Sequence, residues 1–132
     1  MSIELTIQQM PHYLLVKCNG EFEPFDFLVA CKEALSTASE KKIAAILIDG
    51  RDLTGKRITL MDRFNIGETF AMLQNNLTFV PLVAMVGNEP IVDPKRFGET
   101  VAVNRGASVK IFTDFEEATR WLERSLQEGL EC

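Results

Sequence analysis

The sequence predicts a single α/β domain over residues 1–132, with a mixed sheet of about five strands, one antiparallel edge strand and four helices. Three observations carry this expectation. The runs Ile43 to Ile48 and Phe79 to Val86 are almost uniformly apolar and too short for surface helices, so each reads as a strand covered on both faces. Between and after them stand stretches whose apolar residues recur at spacings of three and four, the signature of amphipathic helices. The first residues behave differently. Ile3, Leu5 and Ile7 alternate with polar neighbours, and Met10-Pro11-His12 separates them from a second strand, Tyr13 to Cys18, by a short gap that favours an antiparallel pair.

Beyond Asn19-Gly20, Pro24 suits a first helical turn, and Phe27, Leu28, Cys31, Ala34, Leu35 and Ala38 form one stripe that Lys41-Lys42 close at the negative end of the helix dipole. A polar loop from Asp49 to Arg57 is expected next, then a helix from about Thr59 to Asn75. This helix shows two apolar stripes. Leu60, Phe64, Gly67 and Ala71 make one, with Gly67 allowing close approach to the sheet. Ile66, Phe70, Leu73 and Leu77 make the other. A helix that only covers a sheet uses one stripe, so the second calls for a neighbouring helix, a partner or a ligand. After Gly87-Asn88, Asp93 is placed to cap a third helix with Pro94 in its first position, and Gly106 to end it. Val109 to Phe112 is the last strand. Asp114 and Glu117 form a capping-box-like start to a final helix striped by Phe115, Ala118, Trp121, Leu122 and Leu126.

Composition narrows the function classes. A formal net charge of −5 argues against a general nucleic-acid binder. The cysteines Cys18, Cys31 and Cys132 and the lone His12 have no metal-ligand spacing, so neither a metal nor a cofactor is expected. An odd cysteine count without a secretion signal points to reduced thiols in the cytoplasm, and no apolar run is long enough for a transmembrane segment.

The order β-β-α-β-α-β-α-β-α resembles the STAS-like (SpoIIAA-like) fold of bacterial anti-sigma-factor antagonists, which is also found at the ends of sulfate transporters and is akin to CRAL-TRIO lipid-binding domains. The likeness covers nearly the whole chain. Its most specific part is the segment from Gly106 to Leu122, where a helix-ending glycine, a short strand closing on Phe112 and a capped helix reaching Trp121-Leu122 are similar to those of small stand-alone bacterial proteins. The resemblance implies a non-enzymatic regulatory or binding module that meets a protein partner, or itself as a homodimer, through the second helix and its preceding loop. The CRAL-TRIO relationship implies an alternative, a carrier or sensor of a small apolar or amphipathic ligand, with Met61, Phe64, Phe70 and Met72 lining a cavity. Classical antagonists carry a phosphorylatable serine in an Asp-Ser-Ser-Gly-type turn. The matching stretch here, Asp52-Leu53-Thr54-Gly55-Lys56-Arg57-Ile58-Thr59, has no serine, and only Thr54 and Thr59 offer a hydroxyl.

Ligands of open α/β sheets favour the carboxyl ends of the parallel strands, which directs attention to the loops 49–59 and 87–96. Asp49, Asp52, Thr54, Lys56, Arg57, Thr59 and Asn88 are the ligand-binding candidates, with a small anion held by Lys56, Arg57 and the helix start at Thr59. The plainer alternative is a solvated loop in which Thr59 caps its helix. Gly55-Lys56-Arg57 lacks the spacing of a phosphate-binding loop. Asp49, directly after a buried strand and without an evident partner, is the carboxylate whose pKa is expected to rise. No catalytic set accompanies it. Ile66, Phe70 and Leu73 are the candidates for a partner interface.

Overall fold

A computed structural model describes residues 3–55 and 58–131. Its elements run β1 (Ile3–Gln9), β2 (Leu14–Glu21), α1 (Pro24–Lys41), β3 (Ala45–Thr54), α2 (Leu60–Asn75), β4 (Leu82–Val86), α3 (Phe97–Asn104), β5 (Val109–Phe112) and α4 (Phe115–Glu131), in the order the apolar periodicities predict. The sheet order is β1-β2-β3-β4-β5, with β1 antiparallel to β2 and the remaining neighbours parallel.

Two cores flank the sheet. On one face α1, α2 and α3 bury Phe27, Cys31, Leu35, Phe70 and Ala102 against Ile46, Ile48 and Val83. On the other, α4 alone lays Ala118 and Leu122 over Leu15, Leu47, Ala84 and Phe112. Ile46 and Val83 are completely buried, as central strands require. Cys18 and Cys31 are buried free thiols, and burial raises both, Cys18 to about 12.

Local chemistry fixes the helix ends. Pro24 occupies the first turn of α1, and Lys42 closes that helix in a left-handed conformation, its N–H donating to the Ala38 and Ser39 carbonyls. Gly106, with φ near 90°, takes the chain out of α3, a conformation that a side chain would strain. The start of α3 departs from expectation. Asp93 does accept hydrogen bonds, from the Lys95 and Phe97 N–H groups, but Arg96 adopts a left-handed conformation and the helix begins only at Phe97. The strand expected over 79–86 is likewise shorter and begins at Leu82.

The largest departure is β3. The stretch expected to be a loop from Asp49 is strand as far as Thr54, because β2 continues beside it: Asn19 faces Asp52, Gly20 faces Leu53 and Glu21 faces Thr54. The register shifts between Lys17 and Asn19, so β3 contains one extra residue there. The bulge exchanges the faces on which its side chains emerge. Ile48 before it and Leu53 after it therefore both reach the core under α1 and α2.

Candidate functional site

The carboxyl ends of β3 and β4 do lie together. The Asn88 Nδ2 donates to the Arg51 carbonyl at 3.0 Å, and the Arg63 guanidinium on α2 donates to the Pro90 and Ile91 carbonyls at 2.7 and 2.8 Å, tying the loop after β4 to the start of α2. Thr59 caps α2. Its hydroxyl accepts from the Asp62 N–H at 3.0 Å while the Asp62 carboxylate accepts from the Thr59 N–H at 3.0 Å, a reciprocal capping box. The Thr59 hydroxyl is thus engaged in capping its own helix.

Asp49 corrects the expectation made for it. It is buried and has a partner two residues along the strand: Arg51 donates through Nε at 2.9 Å, through Nη2 at 2.8 Å and through its backbone N–H at 3.1 Å. Burial pushes the carboxyl upward, but the Arg51 hydrogen bonds, with the charges of Arg51 and Lys17, outweigh it and hold Asp49 below its ordinary value. Arg51 lies 4.6 Å from the centroid of the Phe115 ring at the start of α4. Asp49 is thus engaged on the α4 side of the sheet rather than between the two loops. Asp52 and Thr54 are exposed strand residues, and the Thr54 hydroxyl donates to the Gly20 carbonyl at 3.3 Å. Lys56 and Arg57 lie outside the described residues.

The second stripe of α2 is also placed differently. Phe70 is only 2% exposed, enclosed in the core that α1 and α3 share with the sheet, and Ile66 and Leu73 are partly buried against it. Phe70 is therefore not an accessible contact residue. Gly67 serves α3 rather than the sheet: a methyl group there would lie 2.5 Å from the Gly98 carbonyl oxygen and 3.0 Å from the Val101 Cβ. The apolar residues α2 does leave in solvent are Leu60, Met61 and Met72, at 66%, 64% and 56% exposure.

Two features escaped the sequence reading. A cavity of about 100 Å³ lies between the sheet, α2 and α3, with Ile48, Leu53, Ile66, Phe70, Met85 and Val92 among its walls. Of the four residues expected to line a cavity, only Phe70 does so. Charged groups border it, but their heads are committed to the backbone. Arg63 holds the loop after β4, Arg96 donates to the Ile111 and Asp93 carbonyls, and Glu99 accepts from the Ile111 N–H. No buried side-chain nitrogen or oxygen among the described residues lacks a hydrogen-bond partner, so the interior of the cavity is apolar in character.

The second is Gln74, a fully buried amide on α2. Its Nε2 donates to the Pro81 and Ser108 carbonyls at 2.8 and 3.2 Å, and its Oε1 accepts from the Ser108 N–H at 2.7 Å, joining α2 to the starts of β4 and β5. Its spacing from Gly67, Phe70 and Ala71 was the available signal, since a glutamine in that row must bury its amide.

Among the described residues no group of three or more His, Cys, Asp or Glu is placed to hold a metal, and no helix is long and apolar enough to cross a membrane.

This architecture is that of the STAS-like, or SpoIIAA-like, fold. An anti-sigma factor antagonist from Mycobacterium paratuberculosis superposes with a TM-score of 0.58 at 14% identity, over 92% of this chain and 95% of its own. An uncharacterised protein with a SpoIIAA-like fold from Shewanella loihica aligns at 20% identity with a TM-score of 0.46, over 92% and 93% of the two chains. No protein-family model matches the sequence, and no curated protein matches it significantly.

Proposed function

We propose that this chain is a non-enzymatic regulatory module of the cytoplasm that meets a protein partner through the first turn of α2 and the loop before it. The observation that carries this reading is the exposure of Leu60 and Met61 immediately behind the Thr59 capping box. Two large apolar side chains on a rigid, capped helix start gain most by being covered, and a pre-ordered surface pays little entropy on binding. The anti-sigma-factor-antagonist fold supports a protein-interaction role. The partner surface proposed here is this turn, not the Ile66, Phe70 and Leu73 stripe. A photo-crosslinking residue at position 60 should capture a single protein in cells, and Met61→Glu on the same chain should abolish that capture. Capture unaffected by Met61→Glu, or equally efficient from exposed Lys32 on α1, would reject the reading.

The cavity favours a second reading, a sensor of a small apolar ligand. Its volume of about 100 Å³ suits one small ring or a short branched chain and is too small for a long acyl chain. Thermal shift with a series of small aromatic compounds tests this: stabilisation that Ala102→Phe abolishes supports occupancy, and no shift across the series rejects it.

A further inference from the structure

The two edges of the sheet are treated differently. On β5 the Ile111 N–H donates to Glu99 Oε1 at 2.6 Å and the Ile111 carbonyl accepts from Arg96 Nε at 3.3 Å, so side chains of α3 and the residue before it occupy the outer backbone groups at that point. Among the described residues no side chain is recorded on the outer backbone groups of β1, and the strand pairs only with β2, over an unbroken register from Ile3 opposite Gly20 to Gln9 opposite Leu14, with no bulge, no proline and no lysine to discourage a further strand.

Which groups face outward follows from the hairpin. The Met10 N–H donates to the Tyr13 carbonyl at 2.9 Å, so Met10 points its backbone toward β2. Alternation then turns the backbones of Glu4, Thr6 and Gln8 inward and leaves those of Ile3, Leu5, Ile7 and Gln9 facing out. The side chains divide the same way. Leu5 and Ile7 pack partly buried against the α1 side, and Glu4, Thr6 and Gln8 are exposed on the other face.

We propose that β1 is a homodimerisation edge, on which a second copy of this chain docks its own β1 antiparallel about a two-fold axis at Thr6. A second copy fits because the strand is complementary to itself. With the axis at Thr6, Ile3 faces Gln9, Glu4 faces Gln8, Leu5 faces Ile7 and Thr6 faces its own counterpart, so all seven residues of β1 are paired. Outward backbones then meet outward backbones, which the antiparallel hydrogen-bonding pattern demands. The only charge on the strand, Glu4, meets a neutral amide rather than its own copy. The Leu5 and Ile7 side chains of both copies meet on one face and continue the core under α1 across the junction. An axis at Leu5 or at Ile7 would leave two residues of the strand unpaired. This interface lies on a different surface from the α2 partner site.

Sedimentation of the purified chain over a wide concentration range should show a monomer–dimer equilibrium. Thr6→Glu should weaken dimerisation by about tenfold or more, because like charges would stand opposed on the axis. The fold should survive the change, since Thr6 is exposed and faces Lys17 within the chain. Register is tested by oxidation in a Cys132→Ser background, where the remaining native thiols Cys18 and Cys31 are buried. Thr6→Cys would place two thiols in a non-hydrogen-bonded pair with Cα atoms about 4.5 Å apart, within disulfide range, and should cross-link. Gln8→Cys would face Glu4 and should not. A folded chain that stays monomeric at every concentration, or cross-linking at position 8 as efficient as at position 6, overturns the proposal.

Discussion

Replacing Gln74 with leucine isolates the value of its amide, because leucine has nearly the same volume and leaves little cavity. The change strands the Ser108 N–H, which donates to Gln74 at 2.7 Å, and the Pro81 carbonyl, which accepts at 2.8 Å. Gln74 is completely buried, so water cannot readily replace it. The Pro81 carbonyl is enclosed and costs about 1–3 kcal/mol when stranded, while the part-buried Ser108 groups, which water can reach, add less, so the expected loss is about 2 kcal/mol. For a chain of this size that lowers the melting temperature by roughly 7 °C. Urea unfolding followed by circular dichroism reads the loss as a shift in midpoint at constant slope. Gln74→Ala should be destabilised at least as much, since it adds a cavity to the same stranded groups. A Gln74→Leu protein within about 0.5 kcal/mol of wild type would refute the argument, because that is the effect of an ordinary surface change.

Gly67→Ala should cost about 1–3 kcal/mol in urea unfolding by forcing α3 away from α2, and wild-type stability would show that the helices separate freely. Asp49 has a lowered native pKa, so its contribution is fully present above its unfolded value near 4 and is lost as the pH falls through the native one. Acid unfolding of Asp49→Asn should therefore lose part of its pH dependence below about pH 4, and an unchanged profile would dissociate Asp49 from that transition. Trp121 is partly buried, its ring 5.7 Å from that of Phe112, and Trp121→Ala should cost about 2–3 kcal/mol, below the range for a fully enclosed ring. A urea midpoint equal to wild type would show that α4 contributes little through this ring.

The element order was legible because each strand and helix obeys its own hydrophobic period, and the short Met10-Pro11-His12 link favours a hairpin. The end of β3 was not. Asp49-Gly50-Arg51-Asp52 has the composition of a loop, and only the continuation of β2 beside it makes it strand. That hid the Asp49–Arg51 pair as well, since residues two apart share a face only when the backbone is extended. The surplus apolar surface of α2 was readable, but its use was not: α1 and α3 flank the helix and enclose Phe70, an arrangement of three helices on one face that periodicity does not encode. The cavity follows from that arrangement, so its walls come from all three helices of that face, from β3, β4 and β5 and from the loop after β4, and no short motif announces it.

The Arg96 and Glu99 contacts that occupy the outer edge of β5 have a consequence for how large an assembly can grow. A sheet with two receptive edges adds molecules indefinitely and becomes a filament. Here one edge is already answered at Ile111 from within the chain, so a pair joined through β1 presents a guarded β5 at each extremity, and growth ends at two. Replacing Arg96 and Glu99 together would free both the Ile111 carbonyl and its N–H and remove that stop, and the expected product is a high-molecular-weight fibrous species rather than a weaker dimer.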